Sequence, residues 1–409
     1  MRKLFANRYF IVLLILFVCF LPTSLTQEAE SQIDAIVTAV GIDSVENNEL
    51  EVSVQIIVPT PSAQYSQQLS VVSTKAKSVS EGMSNLSLRL GKIISFPHCK
   101  VLVFNEKLAE NGLTEGFDYL IRNKANGDEI VLLGTKDSAK ELLNSISDID
   151  NSLYFGLNNS GSYNKTYILG QQVNLSEFYK KYLTEDSSLI IGSVSLEKVS
   201  DVGMISIPSA SGGSSSQSSQ ENGSKDKKTV VNKGESILIK NGKKVKLLNI
   251  EETSAFNWFN PEATKGYVLL NNITDDVYNN ATVGVDIERK VTRVHVYFDG
   301  DKPVYELDLD LYIRIIEVVE GDNNKNPIIY KEDQQYVTPA LKEALAKKIE
   351  ENISLAYSIA IENNADVMLI GKTFNKYHTK RFNEYKNSNK ENILKGITFK
   401  NKLNIKEMF

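Results

Sequence analysis

Leu307, Leu309, Leu311, Ile313 and Ile315 occupy every second position, and this alternation predicts the strongest strand of the chain. Upstream, Ala281 to Phe298 alternates twice, through Val283, Val285 and Ile287 and then through Val294, Val296 and Phe298. The spacing then changes to three and four. Leu341, Leu345, Ile349, Ile353, Ala356 and Ala360 form the buried stripe of a long helix, with Thr338 at the N-cap, Pro339 at the first turn and Asn363-Asn364 at the end. His378 to Lys390 reads as helical, and Ile397, Phe399, Leu403 and Ile405 as a last strand.

The N-terminal half is built from shorter signals. Ile33 to Val40 and Leu50 to Val58 read as strands around a turn rich in Gly and Asn, and Pro59 and Pro61 end the second. Asp43 in that turn is expected to cap its own backbone. Ser78 and Glu81 have capping-box spacing; Val79, Met83, Leu86 and Leu90 follow on one helical face, and Gly91 closes the helix. Next come a strand at Lys100 to Phe104, a brief helix at Asn105 to Glu110 ended by Gly112, and a helical stretch at Gly116 to Arg122. Ile130 to Leu133 reads as a strand, and Asp137 as the cap of a helix through Leu142 and Leu143. The stretch from Tyr154 to Ile191 is rich in aromatics, including Phe155, Tyr163 and Tyr167, with one helix near Leu175 to Leu183. Ile237 to Ile239 and Val245 to Leu248 flank Asn241-Gly242 and predict a hairpin. The fold class is α+β (mixed α/β) and multi-domain: an N-terminal mixed-sheet domain with short helices, and a C-terminal domain of antiparallel strands packed on a long helix.

A length of 409 residues suits two or three domains. Residues 208–228, PSASGGSSSQSSQENGSKDKK, hold no aliphatic side chain larger than alanine beyond the opening proline, which predicts a flexible linker. The expected division is 1–26, 27–207 with room for a small middle domain from about 153, a linker at 208–235, and 236–409. Arg2, Lys3 and Arg8 precede 13 apolar residues, Tyr9 to Leu21, so the start reads as a signal peptide or an N-terminal membrane anchor. Either places the rest of the chain outside the cytoplasmic membrane. Net charge is −5, and −8 without those three basic residues, which argues against nucleic acid as a partner. Of the two cysteines, Cys19 lies in the apolar run, so no internal disulfide framework forms; Cys99 reads as a small buried hydrophobe.

The block from Ser78 to Leu143 carries the most specific pattern: a helix, His98, an aliphatic strand, "NEKLAENGL", "FDYLIRN", a second strand and "SAKELL". This order resembles the Ger(x)C-type spore germination proteins, the C subunits of nutrient germinant receptors in endospore-forming bacteria. The opening "DAIVTAVGIDSVENNELEVSVQIIVP" is similar to the start of that family, as are Trp258-Phe259 and the "NNADVMLIG" stretch with Asp366 and Gly371. The resemblance implies a non-enzymatic, exported, membrane-associated receptor subunit acting with two integral-membrane subunits of A and B type, with no cofactor. It leaves open whether this subunit binds a small-molecule germinant. The family is usually lipidated at a cysteine. Here the one candidate is Cys19, preceded by the bulky Phe17 and Val18. His98 and Arg122 are the candidate partner contacts.

His98, His295 and His378 lack metal-ligand spacing, and no nucleophile elbow, Walker loop or dinucleotide fingerprint occurs. Asp308 and Asp310 fall on the outer face of their strand and read as solvated. Residues 371–409 carry ten Lys/Arg and three Asp/Glu, a basic tract that suits a solvated face, an anionic lipid surface or an acidic partner. Two rival classes are an extracytoplasmic solute-binding protein of a transporter and a cell-wall hydrolase. The first predicts two similar lobes, and the second an acid–base or metal cluster.

Overall fold

The computed structural model describes residues 34–58, 68–123, 127–145, 173–184, 188–198, 228–231, 233–320 and 337–408. The segment 1–26 with Cys19, the aromatics Tyr154, Phe155, Tyr163 and Tyr167, and residues 208–227 of the expected linker lie outside these residues, while 228–231 of that linker form a strand.

The first body comprises β1 (Asp34–Ser44), β2 (Leu50–Val58), β3 (Gln68–Ala76), α1 (Val79–Leu90), β4 (Ile93–Ser95), β5 (Val101–Asn105), α2 (Glu106–Asn111), α3 (Leu113–Arg122), β6 (Val131–Thr135), α4 (Ala139–Asn144), β7 (Val173–Asn174), α5 (Leu175–Tyr182), β8 (Ser188–Lys198), β9 (Lys228–Val231), β10 (Ser236–Lys240) and β11 (Lys243–Leu248). Its sheet has eleven strands, with the main order β11-β10-β8-β6-β5-β1-β2-β3. The centre, β1, β5, β6 and β8, is parallel. Its strands read as continuous apolar runs because helices cover both faces: Val101 to Phe104 are all buried. On one face α1, α2, α3 and α5 contribute Met83, Leu108, Phe117 and Phe178 to the core. On the other, α4 contributes Ala139, Leu142 and Leu143.

The capping expectations hold in part. Ser78 Oγ accepts from Glu81 N at 3.2 Å, but the Glu81 carboxylate accepts from Lys77 N at 2.9 Å rather than from Ser78. Asp137 does not cap α4; Ser138 does, and Asp137 instead accepts from Leu196 N at 2.7 Å. Strand β3, which no clean alternation marks in QLSVVSTKA, pairs with β2 along its whole length.

The second body follows: α6 (Ile250–Asn257), β12 (Gly266–Ile273), β13 (Ala281–Asp299), β14 (Lys302–Glu320), α7 (Pro339–Glu362), α8 (Ile370–Ser388) and β15 (Thr398–Glu407). Four strands run in sequence order. All pairs are antiparallel except β14 with β15, which is parallel, because α7 and α8 form the crossover between them. Every residue of the predicted α7 stripe is fully buried against this sheet. Helix α8 begins eight residues before the predicted start: Asp366 accepts from Ile370 N at 2.8 Å and Gly371 N at 2.7 Å and so fixes its first turn. Its backbone kinks at His378 (φ −137°), whose Nε2 lies 3.0 Å from the Val296 carbonyl. The α6 end is held by a buried lysine. Lys290 Nζ lies within hydrogen-bond reach of the carbonyls of Asn257 (3.0 Å), Trp258 (3.0 Å) and Asn260 (2.8 Å) and of Thr292 Oγ1 (2.9 Å), one acceptor more than its three N–H groups can serve, while burial pulls its pKa down to about 7.

The boundary expected at residue 236 does not coincide with the sheets. The hairpin β10–β11, with Asn241 and Gly242 both at positive φ, pairs through β10 with β8 and so completes the first sheet. The region near Leu175 to Leu183 is not a separate unit either, since Leu175 and Phe178 belong to the first core.

Candidate functional site

The carboxyl ends of β1, β5 and β6 come together at one edge of the first sheet. After β5 the chain turns to α2 on one face, and after β6 it turns to α4 on the other. Adjacent parallel strands whose connections leave in opposite directions open a crevice between them, the usual ligand position of α/β sheets. A cleft of about 740 Å³ lies there, lined in part by Asp43, Glu51, Asn105, Glu106, Lys136 and Ser138.

Its floor is a polar network spanning long stretches of sequence. Asp43 is buried and does not cap its own turn. Its Oδ1 accepts from Ala139 N at 2.7 Å, and its Oδ2 from Ser138 Oγ at 2.9 Å and Lys140 N at 3.1 Å, so it caps α4 from a distance. Burial raises the Asp43 pKa, against the pull of those backbone and side-chain donors. At Glu51 burial also acts upward but is outweighed by hydrogen bonds from Lys140 and Ser73, leaving its carboxyl below the usual range. Asn105 Oδ1 accepts from Ser44 N and Leu108 N, both at 3.0 Å, tying the end of β1 to the start of α2. Lys244 donates to Glu106 at 2.6 Å and Glu110 at 3.1 Å. Glu106 Oε1 is buried with no hydrogen-bond partner among the described residues. The lining offers carboxylates, ammonium groups, the amides of Asn47 and Asn105 and the hydroxyls of Ser44 and Ser138, with no thiol or imidazole among the described residues. Such a cleft can hold polar groups of a solute or a partner.

The sequence-singled residues lie elsewhere. His98 is exposed in the turn before β5, at the opposite edge of the sheet from the cleft, and its ring makes no hydrogen bond among the described residues. Arg122 is exposed at the end of α3 and pairs with Asp118 at 2.6 Å. The Phe96 and Tyr119 rings meet edge to face at 6.2 Å, which sets the His98 turn beside α3. Cys99 is buried, its thiol pushed up to about 12 by burial. Asp308 and Asp310 are not simply solvated. Arg293 reaches them at 3.3 and 2.7 Å, and Asn404 Nδ2 at 3.2 and 2.9 Å, a polar ladder across three strands. Among the described residues no group of His, Cys, Asp and Glu is arranged to hold a metal ion, and no helix is long and apolar enough to cross a membrane. Sequence reading missed the cleft. Its one local signal was the N-cap type residues Asn105 and Ser138 directly after aliphatic strands.

The fold is a two-sheet α+β arrangement, and comparison with known proteins supplies its family. A family model described as the spore germination protein N-terminal domain matches residues 30–196, and one described as spore germination B3/GerAC like, C-terminal, matches residues 233–406. The chain belongs to this GerAC-like family of spore germination proteins. It is also similar to a solved structure titled the crystal structure of the GerBC protein, at 16% identity and TM-score 0.49, covering 90% of this chain and 97% of that one. No curated protein matches the chain.

Proposed function

We propose that the protein is a non-enzymatic C subunit of a membrane-bound nutrient germinant receptor. In this reading it is exported, held on the outer face of the cytoplasmic membrane (the inner membrane of the spore), and assembled with two integral-membrane subunits of A and B type. The observation that carries the reading is the tandem match, in order along one chain, to the N- and C-terminal models of one germination family. The basic and apolar start of the sequence supports membrane retention. The exposed pair His98 and Arg122 supports partner contact through the edge of the sheet away from the cleft. The solute-binding alternative draws on the cleft, but the two sheets share neither strand number nor order, unlike a pair of similar lobes.

The test is affinity purification from dormant-spore membranes, with two multi-span proteins expected to co-purify. Recovery of the protein alone in the soluble fraction would overturn the reading. His98→Ala and Arg122→Ala should each impair nutrient-triggered germination while leaving the melting temperature within about 1–2 °C of wild type, since exposed substitutions stay within about 0.5 kcal/mol. Loss of germination together with melting temperature would make both residues structural.

A further inference from the structure

Helix α8 buries one face and exposes the other in an uneven way. Ile370, Gly371, Phe374 and Phe382 face the sheet. Lys372, Lys376 and Lys380 follow at intervals of four on the opposite face, all exposed, and Glu384 is the only acid in the helix. Among the described residues Lys372 and Lys380 make no ion pair, and Lys376 meets only the ring of Tyr377, at 4.9 Å. Lys390 and Lys395, just beyond the helix, are likewise exposed without an ion pair among the described residues. Elsewhere on this protein acids pair with the lysines, as Glu106 and Glu110 do with Lys244; here Glu384 follows Lys380 by four residues without pairing with it. Residues 371–409 carry a net +7 in a chain of net −5, so the rest of the protein carries −12. Of that tract, Lys372, Lys376, Lys380, Lys390 and Lys395 lie on or just beyond α8, whereas Lys400, Lys402 and Lys406 belong to β15.

We infer that the lysine face of α8 docks on an anionic lipid surface; this rests on the membrane-held reading above. One observation favours lipid over an acidic protein. The exposed row has no large apolar residue at its centre, whereas protein interfaces centre on one; Tyr377, 61% exposed, sits at its flank, where an amphipathic ring suits the headgroup level. Regularly spaced, unpaired ammonium groups match a laterally uniform polyanion, and each gains about fivefold in affinity near such a surface.

The experiment uses the full chain reconstituted with vesicles of phosphatidylcholine alone or mixed with phosphatidylglycerol, and a membrane-impermeant acetylating reagent read by mass spectrometry. Acetylation of Lys372, Lys376 and Lys380 should fall about tenfold on the anionic vesicles relative to the neutral ones. High salt should restore it, while Lys107 and Lys243 of the first body stay unchanged. Retention on both vesicles with equal acetylation overturns the inference and leaves the anchor standing. Retention on anionic vesicles alone, with the same footprint, upholds the inference and removes the anchor. No retention on either removes both. Protection that appears only with co-reconstituted partner subunits, whatever the lipid charge, also overturns it and assigns the face to an acidic protein surface.

Discussion

In the eleven-stranded sheet the central strands β5 and β6 are five residues long and buried on both faces, whereas β13 and β14 of the four-stranded sheet run for 19 residues each and bury one face. The first arrangement needs many chain reversals at the sheet edges, and each leaves backbone groups to satisfy. It meets them with side chains from far along the chain: Asp43 for the start of α4, Asn105 for the end of β1, and Gln55 Nε2 for the Leu143 carbonyl at 3.2 Å. The second arrangement meets most backbone groups within its own long elements. It depends instead on one apolar stripe, with Asp366 and Lys290 as its main buried charges. Both bodies bury large apolar cores, but the first adds polar closure at its loops, whereas the second adds the fit of one long helix to a sheet.

The largest effect should come from the α7 stripe. Ile349→Ala removes a fully buried side chain and is expected to cost about 3 kcal/mol in urea unfolding. A cost below about 1 kcal/mol would mean the stripe is not what holds the second body. The buried lysine gives a pH test. With a folded pKa of about 7 against an ordinary value of 10.5, the unfolded chain binds more protons between those values. Wild-type stability should then rise relative to Lys290→Met from pH 7 upward, by at most about 1.4 kcal/mol per unit. A difference independent of pH would show that the four acceptors keep the ammonium charged throughout.

Asp43→Ala leaves three donors at the start of α4 without their acceptor and should cost about 2 kcal/mol. Amide exchange at Ala139 and Lys140 should quicken before that of the central strands; a uniform change across the sheet would contradict a local cap. The smallest effect is expected from cutting the covalent link. With a protease site placed between Ser214 and Ser215, the cleaved protein should still elute as one species, because β10 stays paired with β8. Separation into two fragments would restore the boundary at residue 236.

The same contrast explains what could be read from the sequence. The α7 stripe, its Thr338 cap and the β14 alternation were legible because each is a long periodic run whose meaning is local. Within the first body the individual short elements were legible too, from Ser78 through Leu143. The cleft was not, because Asp43 meets partners 95 to 97 residues away, and a turn aspartate looks the same whether it caps its own loop or another. Strand β4 has three residues and α6 a weakly patterned face, too little periodicity to detect; only the capping box Asn249 with Glu252 marks α6. Lys290 was invisible because the register of β13 shifts between Ile287 and Arg289, and that irregularity turns inward a residue whose type reads as exposed.

The hairpin that completes the first sheet also sets an order of events during synthesis. The outer edge of β8 is covered by β9 along residues 195–198 and by β10 along residues 188–192, both drawn from beyond residue 227. A ribosome adding about 5–20 residues per second leaves that edge bare for a few seconds while the intervening segment is made. The strand involved, SLIIGSV, is apolar and uncharged, the kind of open edge that recruits other chains. A fragment ending at residue 196, where the first family model stops, would carry this edge permanently. Dissecting this chain at the family boundary therefore yields an aggregation-prone piece, whereas a cut after Leu248 would keep β8 covered by β9 and β10.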